Sequence, residues 1–352
     1  LTTYMKILHI IFSFNIGGSE TMLVDIINKQ VQKHEVTLCV INNLYDEKLL
    51  NTIDKRVKII LLNRTPSSHN LFDVLRLNYW VHHKTFQVIH CHDCNILKYV
   101  WGLFRFTTVL TVHDTHLPLE GIEYYKIVVS ISYSVEKDLK QRGLKYSPII
   151  YNGICPELIL QTKHCFLEKA SEVKILQIGR LEHLKKGQHL ALEALAILAK
   201  NNPQHYFNLT FIGEGSSYVF LQDMSKKMGI NSQVCFLGKR SRKYIYSHLK
   251  DYDILIQPSL YEGFGLTVVE AMTAGIPVLV SNIEGPMEII NNGEYGFYFN
   301  NNDSTDMANC LAYMISHQEI VNTVVRKGKI RALDFTLSKM VDKYERIYSR
   351  EQ

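Results

Sequence analysis

No run of about 18 apolar residues occurs in this chain of 352, so nothing in it reads as a transmembrane helix. No signal peptide is expected either. The apolar part of the N-terminus, residues 7–12, is too short and has no small-residue cleavage site, so it reads as a first strand. The cysteines number seven, an odd count scattered over the whole length, which excludes a disulfide framework and suits a reducing compartment. Charge of one sign is scarce too. Lys and Arg exceed Asp and Glu by 39 − 34 = +5, too weak and too dispersed for nucleic acid but compatible with an anionic ligand. Low-complexity tracts and internal repeats are absent. What is present, 46% hydrophobic and 21% charged residues over a length that suits two ordinary domains, describes a globular protein with ample core.

Strand-like and helix-like segments alternate from end to end. The first half offers strands at 6–11, 35–41, 57–61, 86–90, 107–112, 127–130 and 148–151. The second half offers them at 173–178, 209–212, 234–237, 254–257 and 277–280. Helical periodicity fills the gaps, as in 21–31 with Met22, Leu23, Ile26 and Ile27 on one face, and in 190–199 and 219–228. Such alternation calls for parallel sheets covered by helices on both faces, an α/β architecture. The pattern lapses between 152 and 172, with turn signals at Asn152-Gly153 and Pro156. The expected division is therefore a Rossmann-like domain over 1–155, a linker over 156–172, and a second Rossmann-like domain over 173–334. A terminal amphipathic helix, 335–352, carries Met340, Val341, Tyr344 and Ile347 on one face and is expected to pack toward the first domain.

The densest chemistry lies between Tyr261 and Glu288. A strand ends at Pro258-Ser259, a loop with Gly263 and Gly265 opens a helix, and another apolar run completes a βαβ unit. The two glycines leave backbone N–H groups uncovered where the helix dipole favours an anion. Glu262 and Glu270 flank that phosphate seat, and carboxylates beside an anion need another partner, for which sugar or ribose hydroxyls are the natural choice.

A pair of cations completes the pattern. The strand 173–178 delivers Arg180 to its carboxyl edge, where ligands of open α/β sheets bind, and Lys186 follows six residues later. Arg grips phosphate oxygens as a fork and Lys adds a compact charge, so the two suit a departing diphosphate; the plainer reading is a pair of solvated surface cations. In the first half, Gly17-Gly18 opens a helix after the first strand but lacks the third glycine of a dinucleotide fingerprint. Gly213 and Gly215 lack it as well, and both loops are expected to approach a ligand between the domains. His113 ends the strand 107–112, with Asp114 able to orient its ring; His90 and His92 reach the same edge from the neighbouring strand. Cys91-His92-Asp93-Cys94 has no second Cys or His pair at zinc spacing, so it reads as a strand end with buried thiols and no metal site.

These pieces, in their order and spacing, resemble the retaining glycosyltransferases of family 4, whose fold is GT-B: two Rossmann-like domains facing across a cleft. The matching segments are GGSE (17–20), VIHCHD (88–93), TVHD (111–114), VSISYSVEKDL (129–139), IYNGI (150–154), IGRLEHLKKG (178–187), FIGEG (211–215), VCFLGKR (234–240) and EGFGLTVVEAMTAGIPVLVS (262–281). The resemblance implies transfer of a sugar from a nucleotide sugar, a substrate and not a cofactor, with retention and without a metal. It places Gly17 and Gly18 against the donor phosphates, His113 on the transferred sugar, and Arg180 and Lys186 on the diphosphate. Glu262 then binds sugar hydroxyls with help from Gly263, Phe264, Gly265, Leu266 and Thr267, and Glu270 binds the ribose. Gly213, Gly215 and Lys239 join the donor site. The acidic residue that commonly follows the NGI segment is missing from NGICPELILQ.

UDP is the commonest donor nucleotide in that family and is the expectation here. The acceptor is expected to be a glycan or lipid-linked glycan of a capsule, O-antigen or lipopolysaccharide, handled in the cytoplasm or at the inner face of the membrane. A nucleotide-sugar epimerase of related fold and a catalytically silent binding subunit are the alternatives. The segment 95–108, with Lys98, Tyr99, Trp101, Phe104, Arg105 and Phe106, could meet a membrane surface, although a core helix followed by its strand is the favoured reading.

Overall fold

The computed structural model describes residues 4–68, 70–162 and 172–350. The chain forms two compact units, one of Leu1–Gly153 with Leu337–Gln352, the other of Ile154–Thr336. The first holds a six-stranded sheet of β1 (Lys6–Ile11), β2 (Glu35–Asn42), β3 (Lys58–Arg64), β4 (Val88–Cys91), β5 (Thr107–Val112) and β6 (Ile127–Ser130), in the order β3-β2-β1-β4-β5-β6. The second holds β7 (Glu172–Ile178), β8 (Tyr206–Ile212), β9 (Val234–Phe236), β10 (Ile254–Gln257), β11 (Val278–Ser281) and β12 (Phe297–Phe299), in the order β12-β11-β10-β7-β8-β9.

All the pairings are parallel, with Ile7 of β1 facing Val36 on one side and Val88 on the other. Parallel strands covered on both faces need side chains that can be buried pointing both ways, which is why β1, β4, β5, β10 and β11 are buried almost throughout and rich in apolar residues. Each sheet reverses its strand order once, between β1 and β4 in the first unit and between β7 and β10 in the second. Crossover connections leave in opposite directions there, so the loops part and a crevice opens beyond the strand ends.

The helix Gly18–Gln30 turns Met22, Leu23, Ile26 and Ile27 inward. The helix Leu266–Ala274 is buried along its whole length from Val268, which accounts for its composition of small and apolar residues. The C-terminal helix Leu337–Arg350 belongs to the first unit and lies against the helix Gly18–Gln30. It buries Met340, Val341, Tyr344, Glu345 and Tyr348, and Lys33 and His34 meet the carboxylate of Glu345 at 3.2 and 3.4 Å.

Four local expectations change. Residues 148–151 form no strand; Ile149 makes one isolated bridge to Ser130, because a proline at 148 has no N–H to continue a ladder. The three-residue edge strand β12 is too short to announce itself in the sequence. On the C-terminal helix Ile347 is only half-buried and Tyr348, one position on, takes the inward place. The favoured core helix within 95–108 is instead a pair of 3₁₀ turns, Ile96–Tyr99 and Leu103–Arg105, separated by Gly102 in the left-handed region. Only part of this segment faces the core: Ile96 and Leu97 are buried, whereas Trp101 and Phe104 are exposed. Of the expected linker 156–172, residues 163–171 lie outside the described residues.

Candidate active site

In the second unit the loops after β7 and β10, on the two sides of the strand-order reversal, carry the residues singled out by their chemistry. Arg180 follows β7, mostly exposed, and its Nη1 donates to Glu182 Oε1 at 3.1 Å. Lys186 closes the single helical turn His183–Lys186, and its ammonium pairs directly with the carboxylate of Glu262 beyond β10. Gln257, the last residue of β10, donates from Nε2 to the same Glu262 oxygen at 3.1 Å.

Gly187 makes this meeting possible. It sits at φ +65°, where a Cβ would lie 1.8 Å from the carbonyl oxygen of Pro258, so the β7 loop can dock on the β10 loop only through a glycine. Leu260 N donates to Lys185 O at 2.8 Å across the same seam. Two glutamines brace it from behind: Gln177 donates to Lys186 O at 2.7 Å and Gln188 donates to Arg180 O at 2.8 Å.

Gly265 caps the helix Leu266–Ala274 at φ +114°, with no side chain taking the first N–H groups, so Leu266 and Thr267 form a helix start open to an anion. Phe264 is buried beside it, and Gly285 backs the loop closely, where a Cβ would come 2.5 Å from Glu262 O. Glu270, on the same helix, is buried and accepts from the Tyr246 hydroxyl at 3.1 Å; Arg242 in turn donates to that hydroxyl at 2.8 Å.

Gly213 and Gly215 prove to be close-approach residues, but the surface they approach is the chain's own. A Cβ at Gly213 would stand 2.0 Å from Gly179 O, and one at Gly215 would stand 2.4 Å from Leu181 O. Their bareness lets the β8 loop hold the Arg180 segment in place, helped by Leu181 N donating to Glu214 O at 2.9 Å. Lys239 is exposed on the next loop, its backbone N–H toward Glu214 Oε1 at 3.4 Å.

In the first unit Gly17 and Gly18 lie after β1, beside the reversal between β1 and β4, and the helix Gly18–Gln30 again starts without a side-chain cap. Gly18 has open space where a Cβ would be. Asp93, after β4, accepts from Phe12 N at 2.9 Å and ties the two loops together. His113 ends β5, and its Nε2 meets His92 Nδ1 at 3.1 Å while its own Nδ1 is closed to solvent and unpartnered. Burial lowers the pKa of His113 to about 4, against a weaker pull upward from Asp114. Cys91 is buried and Cys94 half-buried. His9, His90 and His92 gather their ring nitrogens within 4.8 Å of one another, a cluster absent from any local motif because His9 and His92 are 83 positions apart in sequence and β1 and β4 are neighbours only in the sheet. All six of those nitrogens already have hydrogen-bond partners.

Gln257, Gln177, Gln188, Tyr246 and Gly285 were not singled out from the sequence. The available signal was weak: a glutamine at or near the carboxyl end of an otherwise apolar strand, at 177 and at 257.

Comparison with known proteins matches residues 16–158 to the model of Glycosyltransferase Family 4 and residues 163–331 to that of Glycosyl transferases group 1. The chain belongs to glycosyltransferase family 4. It is 29% identical over 248 residues to an uncharacterized glycosyltransferase of Methanocaldococcus jannaschii, a match covering 60% of this chain and 62% of that one. It is 23% identical to the lipopolysaccharide 1,6-galactosyltransferase of Salmonella typhimurium, over 88% of this chain and 91% of the other. The chain spans 62% and 48% of the lengths of the first two curated relatives it matches. Among solved structures, Anabaena HepE in complex with UDP and glucose superposes with a TM-score of 0.83 at 22% identity, over 99% of this chain and 100% of that one. The family 4 chain thus has the GT-B fold.

Proposed function

We propose that the protein transfers a glycosyl group from a UDP-sugar to a hydroxyl of a cell-surface glycan or its lipid-linked precursor, with retention at the anomeric carbon. The observation that carries this reading is the arrangement around the β7/β10 reversal. The loops after β7 and β10 carry Arg180, Lys186 and an uncapped helix start at Leu266 to the same edge of the sheet, as sources of positive potential, with Glu262 and Glu270 as hydroxyl acceptors beside them. A diphosphate reaching that spot would take Lys186 from Glu262, freeing the carboxylate for sugar hydroxyls as the phosphate gains a cation. Same-face attack asks the protein for orientation and for stabilisation of the leaving diphosphate, not for a nucleophile. The charge that a divalent ion would otherwise neutralise falls to Arg180, Lys186 and the helix N-termini. In this reading Gly17, Gly18 and His113 are also assigned to donor binding, as is Lys239.

UDP is supported by HepE, solved with UDP and glucose, and the cell-surface pathway by the Salmonella lipopolysaccharide galactosyltransferase. A membrane-facing role has its own support. The helix Leu71–His83 turns Leu71, Phe72, Leu75 and Tyr79 outward, and Asn78 ties it to the exposed Trp101 segment through Tyr99 O at 2.7 Å and Trp101 N at 2.8 Å. Arg76 and Arg105 are exposed on the same two segments, which thus combine apolar side chains with positive charge, as an anionic lipid surface requires.

The test is nucleotide release with UDP-, GDP- and ADP-sugars, with and without acceptor and with EDTA. Acceptor-dependent UDP release that survives EDTA, with an α-linked product from an α-linked donor, is the expected result. Interconversion of the sugar would favour an epimerase, and no release with any donor and acceptor would favour a silent binding subunit. Sedimentation with vesicles containing phosphatidylglycerol should show salt-sensitive binding; binding that is absent at low salt removes the membrane contact.

A further inference from the structure

A continuous chain of buried hydrogen bonds ends on His113. Its Nε2 meets His92 Nδ1 at 3.1 Å, His92 Nε2 meets His9 Nδ1 at 3.2 Å, and His9 Nε2 meets Gln30 Oε1 at 2.8 Å. From Gln30 it continues through Nε2 to the Tyr348 hydroxyl at 3.3 Å, then to His90 Nδ1 at 2.6 Å, and from His90 Nε2 to Thr111 Oγ1 at 2.7 Å. Tyr344 closes the series on Thr111 at 2.9 Å. His9, His90, Gln30 and Tyr348 have no exposed surface at all.

Such a chain transmits direction. A neutral imidazole carries one N–H, so each ring that accepts at one nitrogen must donate from the other. Burial keeps these rings neutral: it lowers His9 to about 4, against an upward pull from the Gln30 hydrogen bond, and takes His90 and His92 well below their ordinary value. Gln30 is the one member whose two ends differ in kind without any proton having to move. Its carbonyl faces His9, so His9 donates from Nε2 and accepts at Nδ1. His92 must then donate from Nε2 and accept at Nδ1, and His113 must donate from Nε2. The remaining nitrogen of His113, the buried unpartnered Nδ1, is left with a bare lone pair.

We propose that Gln30, acting through His9 and His92, is a positioning residue that fixes His113 in its Nε2–H tautomer, so that Nδ1, closed to solvent in this structure, is held as an acceptor for a hydroxyl of the bound sugar once the ligand uncovers it. Only the identity of the ligand rests on the glycosyltransferase reading; the tautomer does not. The C-terminal helix takes part because Tyr348 receives the Gln30 amide and so holds its carbonyl toward His9. The opposite order, with the Gln30 amide turned over, would place a hydrogen on Nδ1 and make His113 a donor.

Two-bond ¹H–¹⁵N correlation spectra of the histidine-labelled full chain near neutral pH read the tautomers directly. His9, His92 and His113, assigned by single substitutions, should all carry hydrogen on Nε2. Gln30→Leu should move His113 into a mixture of tautomers and lower kcat about ten- to a hundredfold with the donor KM little changed. Hydrogen on His113 Nδ1 in the wild-type chain overturns the proposal, and needs no variant to fold. So does an unmoved His113 tautomer in folded Gln30→Leu. A chain with the expected tautomers that turns over no nucleotide sugar refutes the proposed activity and leaves the role of Gln30 standing. Turnover by a chain with hydrogen on Nδ1 does the reverse.

Discussion

Lowering the pH from 7 to 5 should loosen the first unit far more than the second. His9 is fully buried and its pKa falls from the ordinary 6.5 to about 4, chiefly through desolvation. A histidine depressed in the folded state is protonated first in the unfolded chain, so its contribution to stability is complete above pH 6.5 and is lost as pH falls toward 4. For His9 the loss between pH 7 and pH 5 is about 2 kcal/mol. His90 and His92, displaced by burial and by their neighbouring imidazoles, add to the loss in the same direction, while Asp93, raised by burial, offsets a part. His113, lowered to about 4 as well, adds to the loss in the same direction. Against a typical total of about 5–15 kcal/mol, such a loss is a large fraction. Hydrogen exchange read by mass spectrometry, corrected for intrinsic rates, should show protection of β1 and β4 collapsing over this range while β7 and β8 hold. Equal behaviour of the two sheets, or no change in either, refutes the reasoning.

Arg180→Ala and Glu262→Ala should both fold, since neither side chain belongs to the core, yet lose turnover by about a hundredfold or more; near-wild-type rates in either would move the site elsewhere. Gly187→Ala should lower the melting temperature markedly, by a destabilisation of about 3 kcal/mol or more, because its Cβ meets the Pro258 carbonyl and its φ is left-handed. Gly18→Ala has open space and should melt like wild type while raising the donor KM, which steady-state kinetics would show. Ending the chain at Thr336 strips Met340, Val341, Tyr344 and Tyr348 from the first unit, each worth about 1.5–3 kcal/mol of burial. The truncated chain should expose β1 and β2 to limited proteolysis, and a resistant first unit would contradict the packing.

Much of the fold is legible along the chain, because parallel strands buried on both faces are rich in apolar residues and the intervening helices carry a 3.6 period. β12 and the 3₁₀ turns around Gly102 are not, since a three-residue edge strand and a turn lack any period to detect. Gly213 and Gly215 show a different limit. Their spacing announces a close approach, and only the neighbouring loop at Gly179 and Leu181 shows what is approached.

Residue type and spacing along the chain carry the chemistry on offer: two cations, two carboxylates and two bare helix starts at the ends of strands, all of it local information. Tertiary structure decided what each of them faces. Lys186 and Glu262 are 76 positions apart and meet only because Gly187 lets two loops touch. Gln30 and Tyr348, 318 positions apart, meet only because the C-terminal helix packs on the first unit, and on that contact rests the order of hydrogens that reaches His113. Contacts of that separation follow from which strands pair and which helices pack, and no local pattern encodes them.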